Sequence, residues 1–72
     1  MKEDEFKSKL GAQIKQLRMG SGLSQVELAY RCDMEKQNMY RLESGSENPT
    51  ILTLKKVAEA LNVSLIRLLD FE

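Results

Sequence analysis

The sequence has no histidine, no tryptophan, one cysteine (Cys32) and one proline (Pro49). Without His, and with a single Cys, the usual Cys/His zinc sites have no ligands, and hydrolytic arrangements built on a His base are out of reach. A lone thiol cannot form an internal disulfide, which suits a reducing cytoplasm. Apolar runs last only a few residues, too short for a membrane-spanning helix or for the apolar segment of a secretion signal. Aromatic residues are 6% of the chain, so aliphatic side chains must fill the interior. Charge of either sign is not in excess, because 11 Lys and Arg balance 11 Asp and Glu. A strongly basic chain would point to nucleic acid by itself. Here only a local basic face is possible, with Glu3, Asp4, Glu5, Asp70 and Glu72 set at the two ends. There is no Gly-rich phosphate loop and no evident carboxylate pair, so no catalytic residue, cofactor, metal or small-molecule ligand is expected.

What is present is helical periodicity along one domain, residues 1–72, with 1–5 read as a flexible tail. Phe6, Leu10, Ile14 and Leu17 mark the apolar face of a first helix that ends near Gly20-Ser21-Gly22. Ser24-Gln25-Val26-Glu27 fits a capping box and opens a short second helix with Leu28, Ala29 and Cys32 inward. Tyr30 is read as a shield over that helix. After a turn at Asp33-Met34, a third helix runs from about Glu35 to Ser44, with Met39 and Leu42 inward and Gly45 just past its end. Ser46-Glu47-Asn48-Pro49 is a loop. Thr50 caps a fourth helix with Ile51, Leu54, Val57, Ala58 and Leu61 inward. Asn62 suits its left-handed end. Ser64 caps a last helix holding Leu65, Leu68 and Leu69. Cys32 reads as a small core hydrophobe, and Lys55 and Lys56 as a solvated face. The expectation is an all-α, compact bundle of about five short helices and no sheet.

Two short helices joined by a turn of a few residues form a helix-turn-helix. The second member, from Lys36 to Ser44, has two faces. Met39 and Leu42 pack, while Gln37, Tyr40, Arg41 and Ser44 share the other side and Lys36 stands in the first turn. Gln pairs well with adenine, and Arg or Lys with guanine, through the major groove. An ordinary solvated helix face has the same pattern, so spacing alone leaves both readings open.

Longer matches go further. Leu23-Ser24-Gln25-x-x-Leu28-Ala29 is followed by Tyr40-Arg41-Leu42-Glu43-x-Gly45, by Asn48-Pro49-Thr50, and by Leu54-x-x-Val57-Ala58-x-Ala60-Leu61-Asn62-Val63-Ser64-x-x-x-Leu68-Leu69. In this order and spacing they closely resemble the phage repressor/Cro family, the Xre-type helix-turn-helix proteins, from about Lys15 to Leu69. The resemblance implies a lambda-repressor-like DNA-binding fold and a set of roles. Lys36, Gln37, Tyr40 and Arg41 would face bases. Gln25, Asn38, Ser44, Ser46 and Asn48 would lie along phosphates, Gln25 also bracing the first side chain of the recognition helix. Arg18 and Glu43 would form a structural ion pair joining the first helix to the end of the third. Three positions depart from the family pattern. Asp33 replaces the usual turn Gly, Glu35 the usual Ser or Thr cap, and Arg67 the acidic partner of Ser64.

The expected function is therefore sequence-specific transcriptional regulation on double-stranded DNA. One recognition helix reads few base pairs, so a homodimer on a pseudo-palindromic operator is expected, with Leu65, Ile66, Leu69 and Phe71 at the seam. The same scaffold would also serve an antitoxin or a protein-interaction adaptor.

Overall fold

Three of the five helix starts in this chain follow its capping chemistry, and those of the first and third helices carry no side-chain cap. The computed structural model describes all 72 residues and forms them into α1 (Glu3–Gly20), α2 (Gln25–Arg31), α3 (Lys36–Ser44), α4 (Ile51–Leu61) and α5 (Leu65–Leu69), with no strand. At the head of α2 the capping box is complete: Ser24 Oγ accepts from the Glu27 backbone N–H at 3.0 Å, and Glu27 Oε1 accepts from the Ser24 N–H at 2.8 Å. The Ser24 backbone N–H on its carboxylate, and after it the Ser24 hydroxyl beside it, hold the Glu27 carboxyl below its ordinary pKa. Thr50 and Ser64 cap α4 and α5 in the simpler way, each hydroxyl accepting one backbone N–H. Glu35, at the head of α3, makes no such bond.

The ends are equally specified. Gly45 closes α3 at φ +83° and Asn62 closes α4 at φ +58°, both in the left-handed region that branched side chains avoid. Asp33 in the turn between α2 and α3 sits at φ +55°. A non-glycine residue there costs on the order of 1 kcal/mol. The exposed carbonyls at the end of α5 are met from across the molecule: Gln13 Nε2 donates to Arg67 O at 2.9 Å and to Asp70 O at 3.3 Å.

The core is aliphatic. Leu10 and Ile14 from α1, Leu28 and Ala29 from α2, Cys32 just beyond it, Met39 and Leu42 from α3, four side chains of α4 and Leu68 of α5 form one buried cluster. Burial raises the Cys32 thiol pKa and its sulfur lies against the Lys56 carbonyl, as befits a core hydrophobe. No helix is long and apolar enough to cross a membrane.

Four expectations need correction. Glu3, Asp4 and Glu5 are not a tail but the first turn of α1, where acidic side chains oppose the partial positive charge of the helix start. Phe6 and Ile51 are not inward. Each lies at a helix end that overhangs the core; Ile51 is exposed, and Phe6 packs edge-on against Phe71 with ring centroids 5.2 Å apart. Tyr30 shields nothing, being 86% exposed.

α1 and α3 cross at very short range. An added Cβ at Gly11 would fall 2.5 Å from the carbonyl oxygens of both Leu42 and Glu43, and one at Gly45 would fall 2.8 Å from Ser8 Cα. Glycine at both positions lets the backbone of α1 rest on the last turn of α3. That contact sets the tilt of the helix bearing the candidate reading residues.

Candidate nucleic-acid interface

The nine residues of α3 divide cleanly. Met39, Leu42 and Glu43 are buried, with Met39 fully enclosed, whereas Lys36, Gln37, Tyr40, Arg41 and Ser44 are exposed. The exposed set recurs at one, three, one and three residues and forms a single face about 12 Å long at 1.5 Å rise per residue. A helix with its side chains is about 10–12 Å across, which fits the roughly 12 Å width of a B-DNA major groove. It carries two cations, a primary amide, a phenol and a hydroxyl, and no carboxylate. Local charge here is positive although the chain as a whole is neutral.

Side chains on this face are partly ordered. Arg41 Nη1 donates to Asn38 Oδ1 at 2.9 Å, so the guanidinium leans along the helix toward its start. Asn38 is half-buried and keeps its amide NH2 free to donate. Ser44 Oγ lies 3.0 Å from the Arg41 carbonyl and 3.0 Å from Ser46 Oγ. With Ser44 donating to the carbonyl, the Ser46 proton is drawn to Ser44, and a phosphate contact requires Ser46 to turn that proton outward. Ser46 and Asn48 are both exposed on the loop after α3.

Glu43 departs from the surface role its charge would suggest. It is buried with Arg18, whose Nε donates to Glu43 Oε2 at 2.6 Å and whose Nη2 donates to Oε1 at 3.1 Å. Arg18 Nη1 also donates to Leu23 O at 2.8 Å, tying the loop before α2 to the same guanidinium. Bidentate pairing of this kind is the strongest available between these groups. The sequence reading missed the third member. Gln25 Nε2 donates to Glu43 Oε1 at 2.9 Å, and Gln25 makes no hydrogen bond to Lys36 or Gln37, so it does not brace the start of α3 in the free chain. Only the tertiary position of Glu43 reveals this; eighteen residues separate the two in sequence.

Acidic groups stand beside this surface. Glu35 flanks the first turn of α3, and Glu3 and Asp4 line a shallow depression together with Asn48. Replacing Glu35 with threonine supplies the missing cap and is expected to stabilise the fold by about 1 kcal/mol, read as a higher urea midpoint with an unchanged slope. An unchanged or lower midpoint would mean that the start of α3 needs no cap.

The expected seam residues split into two kinds. Leu65 and Phe71 are half-buried against the core, Phe71 also on Phe6, whereas Ile66 and Leu69 face outward.

Comparison with known proteins agrees with this geometry. A helix-turn-helix family model matches residues 14–68. An uncharacterized HTH-type transcriptional regulator of Sinorhizobium fredii is 36% identical over 64 residues, covering 89% of this chain and 83% of that protein. The solved restriction-modification controller protein C.AhdI of Aeromonas hydrophila superposes with a TM-score of 0.83 at 30% identity, over 85% of this chain and 92% of that one. SinR, a master regulator for biofilm formation solved in complex with DNA, superposes with a TM-score of 0.80 at 39% identity, over 85% of this chain and 98% of that one. With its paired short helices, its outward polar face on α3 and a family match over most of its length, the chain belongs to the Xre-type helix-turn-helix family.

Proposed function

We propose that this DNA-binding regulator works in the cytoplasm as a homodimer, without catalysis, and reads a pseudo-palindromic duplex by setting α3 of each copy into the major groove. The observation that carries the reading is the exposed, carboxylate-free face of α3. Lys36, Gln37, Tyr40 and Arg41 read base edges, with Arg41 and Lys36 suited to guanine and Gln37 to adenine. Gln25, Asn38, Ser44, Ser46 and Asn48 lie along the backbone and set the register. Arg18 and Glu43 hold the helices and touch no DNA.

The seam uses Ile66 and Leu69 as its contact surface, with Leu65 and Phe71 supporting them from behind. Two α3 helices placed one helical turn apart, roughly 34–36 Å, read two half-sites. Substituting Ile66 with lysine is expected to shift the chain toward monomer in sedimentation at tens of micromolar and to weaken binding to a two-half-site duplex. A native chain that sediments as monomer at that concentration removes this seam.

Fluorescence anisotropy with duplexes selected from a random pool tests the reading itself. Affinity should fall steeply between two salt concentrations as counterions are released. Arg41→Ala is expected to cost about 1–3 kcal/mol and to relax preference at one base pair, whereas Gln25→Ala weakens all sequences nearly equally. Identical behaviour of the two variants would end the division into base readers and phosphate contacts. Absence of binding even at low salt would turn the chain toward the adaptor or antitoxin role.

A further inference from the structure

Gln25 ends in a primary amide that suits a phosphate in only one of its two orientations, because the NH2 donates while the carbonyl oxygen repels an anion. On a freely exposed glutamine the two orientations interchange. Here Nε2 points at Glu43 Oε1 at 2.9 Å. A carboxylate only accepts, so it selects the NH2 edge and leaves the second N–H of the same nitrogen uncommitted. Glu43 cannot follow a moving partner. Its side chain is 3% exposed, and both of its oxygens are held by Arg18. Arg18 is held in turn by Leu23 O, and no buried side-chain N or O atom lacks a partner. The network links α1, the first residue of α2 and the end of α3.

We propose that Glu43, fixed by Arg18, is a positioning residue for DNA binding, ordering the Gln25 amide before the duplex arrives. The inference rests on the reading of this chain as a duplex binder. A side chain that must be ordered during binding lowers affinity by about two- to tenfold, and the buried carboxylate removes that loss in advance. One ion pair thereby serves the fold and the phosphate contact together.

Glu43→Leu alone strands Arg18 without its counter-charge and endangers folding, so the test uses Arg18→Met/Glu43→Leu, which removes both charges. NMR of the glutamine side-chain amides in the free, full-length chain is the first arm. The Gln25 amide should be ordered in the native chain, unlike that of exposed Gln37, and should become as mobile as Gln37 in the double variant. Anisotropy with the selected duplex is the second arm. The double variant should stay folded and bind about two- to tenfold more weakly. Adding Gln25→Ala should cost clearly less in that background than in the native one. A Gln25 amide already mobile in the native chain overturns the proposal, as does an equal Gln25→Ala penalty in both backgrounds. An ordered Gln25 in a native chain that binds no duplex sinks the functional reading and leaves the ordering of the amide by Glu43 intact.

Discussion

Replacing Arg18 with methionine is expected to destabilise the chain by about 3–5 kcal/mol, and Arg18→Met/Glu43→Leu by much less. The asymmetry follows from desolvation. Both partners are buried, and Glu43 has given up nearly all contact with water in exchange for the guanidinium. Remove only the guanidinium and a carboxylate remains in the interior with the Gln25 amide as its one remaining partner. Remove both and two apolar side chains of similar length fill the space, at the cost of the Arg18 bond to Leu23 O in a loop that water can reach. The loss is large for so small a protein. At roughly 0.05–0.15 kcal/mol per residue, a 72-residue chain has about 4–11 kcal/mol in total, so the single variant would give up a large share of it and, at the low end of that range, would sit near its unfolding midpoint. Urea unfolding of the native chain, the two single variants and the double variant closes the cycle. Additive losses, with no coupling between the two positions, would mean that the ion pair does not hold α1 to α3.

How much of this was legible in the sequence depends on how local each feature is. The Ser24–Glu27 capping box, the Gly45 and Asn62 stops and the inward positions Met39 and Leu42 all act within a few residues, and each is found where the pattern put it. Periodicity misled at helix ends. Phe6 and Ile51 continue an apolar stripe, but the core ends before the helix does, and neither is enclosed. Glu3-Asp4-Glu5 reads as a tail but opens α1, with no side-chain cap from Lys2 and three carboxylates in the first turn. Arg18 and Glu43 were paired by resemblance to a family, since no spacing rule links residues 25 apart. The bond from Gln25 to the same carboxylate, and the close crossing at Gly11, depend on where α1, α2 and α3 meet. The chain gives no local sign of either.

That crossing supports the second large prediction. On a free helix Gly→Ala is stabilising by about 1 kcal/mol, and Gly20, near the end of α1 with no atom within 4 Å of an added Cβ, should follow that rule. At Gly11 the sign reverses. The new methyl would lie 2.5 Å from two backbone carbonyl oxygens of α3, well inside van der Waals contact, and neither oxygen can turn aside as a side chain would. Relief therefore comes only from lifting α1 away from α3. Gly11, Ile14 and Arg18 share one face of α1 at spacings of three and four, so the same displacement opens the packing around Ile14 and stretches the Arg18–Glu43 pair. Overpacking of this kind outweighs the helix-propensity gain, and Gly11→Ala is expected to lose on the order of 2 kcal/mol net. Thermal melting should show a midpoint lower by roughly 10 °C for Gly11→Ala and no lower than native for Gly20→Ala. Duplex affinity should fall with the first substitution and not with the second, because α3 and its exposed face are carried on the displaced contact. A Gly11→Ala chain as stable as the native one would show that α1 and α3 do not meet at this distance in solution, and the placement of the reading helix would have to be sought in its packing against α2 instead.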